Sequence, residues 1–218
     1  MSIEPPPAWQ AFQSFERDGW DRVAAGYAAL VEALGVGEAR RRYPAITFRE
    51  GAAEAIPLPD ASVDAVISAW GLPHFAQHQL VFKEARRVLR AGGRLAMATW
   101  RPPPGNQFFG ILLGSLLPHL QQRPPLPEGP DLFHFADHAT AERALRACGF
   151  TDISCTDISF DAPLPNGAAD LVAFLRAGSV RSQVLYLAQD AERRQRIEAD
   201  IVAAANRLAA PALRLERS

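Results

Sequence analysis

The chain has 218 residues, 48% hydrophobic and 22% charged, the composition of a globular domain with one sizeable core. Its formal net charge of -1 offers no general attraction to a phosphate backbone or an anionic bilayer, so neither nucleic acid nor membrane is an expected partner. The opening MSIEPPPAWQ lacks a leader pattern, and two cysteines, Cys148 and Cys155, make neither a disulfide framework nor a metal site. A cytoplasmic protein without a bound metal is expected.

In chain order, apolar residues from Trp9 to Leu34 recur at helical spacing, with Gly35 as a stop and a break expected near Gly19. Glu38 to Tyr43 reads as the end of a second helix cut off by Pro44, and Ile46 to Arg49 as a short strand. Val63 to Trp70, VDAVISAW, is a continuous apolar run of the kind required by a strand buried on both faces. Gln79 to Arg90 is amphipathic and ends at Gly92 and Gly93, and Arg94 to Trp100 is the next buried strand, which completes a parallel βαβ unit. Phe108 to Leu120 predicts a covering helix between two proline-rich loops. Asp137 opens a helix that runs to Ala147, Thr151 to Phe160 alternates as a strand, and Leu171 to Asn206 reads as two helices. Residues 1–36 are a helical segment, 37–161 the sheet core and 162–218 a helical tail of one domain.

The strings FREGAAEAIPLPDASVDAVISAWGLPHF and EARRVLRAGGRLAMATW, with the leading FERDGWDRVAAGY and the later FHFADHATAERALRACGFTDI, resemble class I S-adenosylmethionine-dependent methyltransferases of the ubiquinone-biosynthesis branch. The resemblance implies an α/β fold with a doubly wound, Rossmann-like sheet, helices on both faces, and S-adenosylmethionine at the carboxyl ends of the strands. It also places residual cofactor contacts at Ala52, Ala53, Trp70 and Gly71. Such a domain should begin with an apolar strand, a glycine-rich turn and a helix, whose free N–H groups hold the cofactor. Only GVGEARRRYPA lies between Leu34 and Ile46, whereas a βαβ passage needs about thirty residues. Gly35 and Gly37 form a GxG without a preceding strand, and Ala52 replaces the family's usual Asp, the acceptor for the adenine amino group. The sheet is therefore expected to be incomplete and conventional cofactor binding impaired.

Methyl transfer needs alignment above all, with a base where the acceptor is a hydroxyl. His74, just past the carboxyl end of VDAVISAW, is the candidate base. Trp100, Asn106 and Phe108 follow the next strand and are candidates to line a small-molecule acceptor pocket, although aromatics there also close cores. His134 and His138, near Asp131 and Asp137, read as loop and N-cap chemistry, since no second ligand pair has metal spacing.

The lost strands would leave a gap of about 10 Å, two strand spacings, beside an apolar strand. Either Ile46 to Arg49 pairs directly with Val63 to Trp70, or a second copy or another protein completes the sheet edge. Two functions follow: an enzyme acting on a small molecule, or a non-catalytic relative that pairs with a partner.

Overall fold

A computed structural model describes residues 7–30, 41, 43–177, 179–208 and 212–217. Elements are numbered here in chain order. The long helix α1, Pro7–Leu30, runs unbroken through Gly19. That glycine serves packing instead: a Cβ there would lie 2.1 Å from Val180 Cγ1. The helix end expected at Glu38–Tyr43 falls almost wholly outside the described residues.

The βαβ unit forms as expected from its pattern. Strand β1, Val63–Ala69, leads through a 3-10 turn at Leu72–His74 into α2, His78–Val88, and on to β2, Leu89–Ala98. Val81, Phe82, Ala85 and Val88 of α2 are buried, the i, i+4, i+7 stripe that docks a helix on a sheet. The strands are parallel, with Ala65 opposite Arg94 and Ala69 opposite Ala98. The ladder is irregular between Val63 and Ala65, because Gly92, at φ +78°, lies inside the strand instead of ending the preceding helix. β2 thus starts at Leu89, before the expected Arg94.

Two further expectations are corrected. Ile46 to Arg49 is irregular and does not pair with β1; Ile46 is 55% exposed, so so short a segment has neither ladder nor core to hold it. Thr151 to Asp157 is also irregular, and the strand begins later, as β3, Ile158–Pro163, which pairs antiparallel with an unforeseen β4, Ala212–Arg217. Among the described residues the two sheets are separate, each of two strands. The result is a mixed α/β fold with an incomplete parallel sheet.

Helix α3, Gln107–Leu116, and α4, His138–Ala147, stand where the sequence puts them. The tail holds three helices, not two: α5, Ala168–Ala177, α6, Val180–Leu187, and α7, Ala191–Ala205. Ser179 and Asp190 make the extra starts, each accepting a backbone N–H of the first turn.

Apolar burial forms two clusters. One gathers Leu72, Phe82, Phe135, Ala141 and Leu145, with Leu95 and Met97 of β2 packed against it. The other joins Leu112, Leu116, Leu171, Leu175, Ile197 and Ile201, from α3, α5 and α7. On the opposite side of β1 the alternate residues are uncovered: Ala65 and Ala69 are exposed and Ile67 is 79% exposed.

Candidate functional site

The carboxyl ends of β1 and β2 are tied by two tryptophans. Trp70 stands at φ +59°, a left-handed backbone that side chains with a Cβ rarely adopt. Its N–H donates to the Ala98 carbonyl at 2.9 Å, and its ring stacks on Trp100, with centroids 4.9 Å apart and planes 7° from parallel. Trp100 meets Phe109 edge-on at 6.0 Å. At Gly71 a Cβ would lie 2.9 Å from both Phe75 Cζ and Ser68 Oγ, so the chain turns here in contact with its neighbours. Strain held by such packing is a feature of functional sites.

Buried Leu72 anchors the next turn, which presents His74 to α1. His74 Nδ1 lies 2.8 Å from Glu16 Oε2, and the Trp20 Nε1–H donates to the same oxygen at 3.1 Å. The Trp20 and His74 rings meet edge-on at 5.4 Å. Arg181 of α6 brings its Nε to 3.9 Å from Glu16 Oε1 and its guanidinium over the Phe12 ring, 5.2 Å from the centroid. An ionised carboxylate only accepts, so the imidazole donates through Nδ1 and its Nε2 keeps the free lone pair. The Glu16 side chain is 10% exposed and that of His74 44%: the orienting group is enclosed and the oriented one opens outward. Glu16 was not a sequence-level candidate. The only sequence trace is its helical i, i+4 spacing to Trp20, which puts both on one face of α1.

The structure therefore stacks Trp70 on Trp100, and the His74 N–H donates to the Gly71 carbonyl at 3.0 Å while the His74 ring faces Glu16 and Trp20. Asn106 is fully buried and caps α3, its side-chain oxygen accepting the Phe109 N–H at 3.3 Å. Phe108 turns toward the helical cluster, edge-on to Phe174 at 4.6 Å. Ala52 and Ala53 belong to a separate turn, closed by the Ala55 N–H donating to the Ala52 carbonyl at 3.1 Å. His138 pairs with Asp157 at 2.9 Å and Asp137 caps α4, while His134 stacks on His78 at 6.2 Å. Among the described residues no group of three or more His, Cys, Asp or Glu could hold a metal ion.

The residues present do not fit S-adenosylmethionine in the way the resemblance implies. No glycine-rich turn opening a helix precedes β1 among the described residues, and GVGEARRRYPA is too short to supply one. β1 has β2 as its one strand neighbour among the described residues, where the family's first strand would lie on the other side. Ala52 offers a methyl group where the resemblance implies a side-chain acceptor.

Residues 25–97 match the family model described as "Methyltransferase domain". The demethylmenaquinone methyltransferase of Thermus thermophilus is 34% identical over 105 residues, 47% of this chain and 48% of that protein. The ubiquinone/menaquinone biosynthesis C-methyltransferase of Rubrivivax gelatinosus is 26% identical over 139 residues, 59% of this chain and 54% of that one. The chain thus spans about half the length of these relatives. Among solved structures, a putative type II methyltransferase from Anaeromyxobacter dehalogenans is similar at 24% identity and a TM-score of 0.46, over 84% of this chain and 74% of that chain. Residues 25–97 are thus similar to a methyltransferase domain, and the chain shares this likeness with the quinone methyltransferases named above.

Proposed function

We propose that this protein acts on a small aromatic hydroxyl compound held over the carboxyl ends of β1 and β2, with its own cofactor site impaired. The observation that carries the reading is the Glu16–His74 pair at 2.8 Å, four residues along the chain from Trp70, which stacks on Trp100. Glu16 orients the imidazole, Nε2 takes the proton of the acceptor hydroxyl, and the indole pair supplies a flat apolar wall. The acceptor class follows the relatives, which are named for demethylmenaquinone and for ubiquinone and menaquinone biosynthesis. A cytoplasmic location fits the two free cysteines. Among the described residues no helix is long and apolar enough to cross a membrane.

The test is a fluorescence titration with 1-naphthol, read through tryptophan emission. Replacement His74→Asn weakens binding about tenfold, equivalent to ~1.4 kcal/mol, and Glu16→Gln weakens it less while the protein stays folded. Equal affinity in the wild type and His74→Asn would remove the base assignment.

A second reading is favoured by the open edge of β1 and by Ile67, 79% exposed. In it the protein is a non-catalytic relative that binds a second copy or an active homologue through that edge. Light scattering separates the two: a monomer at all concentrations, alone and mixed with such a homologue, counts against pairing.

A further inference from the structure

Arg181 joins three segments next to Glu16. It is the second residue of α6, and the approach of α6 to α1 is fixed one residue earlier, where Val180 Cγ1 lies 2.1 Å from the place a Cβ on Gly19 would take. Phe12, Phe15 and Glu16 stand at i, i+3 and i+4 on α1 and so share one face of the helix. Against that face the Arg181 guanidinium lies 5.2 Å from the Phe12 centroid and 5.9 Å from that of Phe15. Its Nη2 donates to the Pro127 carbonyl of the proline-rich loop at 3.1 Å. Gly129 of the same loop closes the seat: a Cβ there would be 2.3 Å from Phe12 Cδ2 and 2.6 Å from Arg181 Nη2.

The two oxygens of Glu16 have separate partners. Oε2 takes the His74 and Trp20 ring N–H groups, whereas Oε1 has Arg181 Nε at 3.9 Å, an ion pair longer than a hydrogen bond. The terminal torsion of a glutamate is broad, so a carboxylate held on one side alone can turn. A cation on Oε1 sets that torsion and leaves Oε2 facing the imidazole. The Glu16 side chain is 10% exposed, and an enclosed pair is screened less than a solvated one.

We propose that Arg181 is a positioning residue for His74, acting through Glu16: its charge holds Oε1 so that Oε2 keeps the imidazole in the Nδ1–H form with Nε2 bare. The inference rests on the Glu16–His74 reading above and extends it to the tail helices, which through Arg181 bear on the strand-end site.

The ¹⁵N shifts of the His74 imidazole, recorded without ligand in alkaline buffer where the ring is neutral, report the tautomer directly. Wild type shows a protonated Nδ1 and a bare Nε2. Arg181→Met keeps an apolar stem over Phe12 without the charge, and Arg181→Gln can still donate to the Pro127 carbonyl. Both variants mix the tautomers and weaken 1-naphthol binding about threefold, the scale of one partly exposed ion pair. Arg181→Lys restores both readouts. In a Glu16→Gln background, Arg181→Met has no further effect, as a residue acting through Glu16 requires. A wild-type tautomer in the methionine and glutamine variants, a lysine variant as impaired as they are, or effects additive with Glu16→Gln would overturn the assignment. A tautomer response to Arg181→Met in a protein that does not bind 1-naphthol upholds the role of Arg181 and removes the acceptor reading instead, so the two failures are distinguishable.

Discussion

Trp70 combines a local cost with a tertiary gain. Its left-handed backbone is penalised for any residue with a Cβ, by roughly 1–2 kcal/mol, while its ring is held by Trp100. Removing the ring by two routes separates these terms: Trp70→Gly should be more stable than Trp70→Ala by about 1 kcal/mol, measured by urea denaturation. Arg87 shows the reverse, a side chain that organises backbone. Its guanidinium donates to Glu84, Asp60 and the carbonyls of Ile56 and Leu58. The same contact holds the Glu84 carboxyl below its ordinary pKa, chiefly through the hydrogen bond from Arg87. An ammonium cannot reproduce the fork, so Arg87→Lys is expected to lower the melting temperature and speed amide exchange at Ala61 and Ser62, whose N–H groups donate to the Arg87 and Val88 carbonyls. At this scale the sequence exposed His74, because it follows an apolar strand. It hid Glu16, whose pairing with His74 crosses 58 positions and has no periodicity to betray it.

At the scale of elements, α2 carries a pH dependence. The His78 Nε2–H donates to the Leu72 carbonyl at 2.7 Å, and burial lowers its pKa below 6.5, the contact to Leu72 opposing and His134 adding to the shift. With the folded value depressed, the unfolded chain takes up the proton first as pH falls. Stability is therefore level above about pH 6.5 and declines as the pH falls from there through the folded value. Urea midpoints at pH 7.5 and 5.5 check the sign, and His78→Gln, which keeps a donor, should flatten that part of the profile. Leu175, fully buried between α5 and α7, should cost about 2–5 kcal/mol as Leu175→Ala, read from the denaturation midpoint. Elements with a long pattern were legible: the apolar run of β1, the stripe of α2, the cap of α4. Those set by tertiary pairing were not. Ile46 to Arg49 has β-branched character but nothing to pair with, and β3 is positioned by β4, a strand whose pattern at Ala212–Arg217 is too short to stand out. The third helix of the tail was hidden because Ser179 and Asp190 cap an otherwise continuous apolar pattern.

At the scale of the whole molecule, the described residues hold a parallel βαβ unit whose first strand has one strand neighbour among them. The βαβ unit, the tryptophan pair and the helical cluster are in place, while the uncovered Ala65, Ile67 and Ala69 form the apolar side of a strand whose other side carries Asp64, Val66 and Ser68. Parallel strands ordinarily have both faces covered. If that surface is open to solvent in the isolated chain, Ile67→Lys should leave the denaturation midpoint unchanged within about 0.5 kcal/mol and reduce self-association in light scattering. A drop in stability instead would mean that the face is covered. The expectation of an incomplete sheet rests on length: GVGEARRRYPA cannot hold a strand, a glycine-rich turn and a helix. Titration of the folded protein with S-adenosylmethionine by calorimetry, beside the variant Ala52→Asp, tests the central claim most directly, since ligation to the native state registers both as heat and as a raised melting temperature. The account predicts no heat and no shift from a cooperatively folded wild-type sample; micromolar binding would contradict it and require a cofactor site rebuilt from other residues.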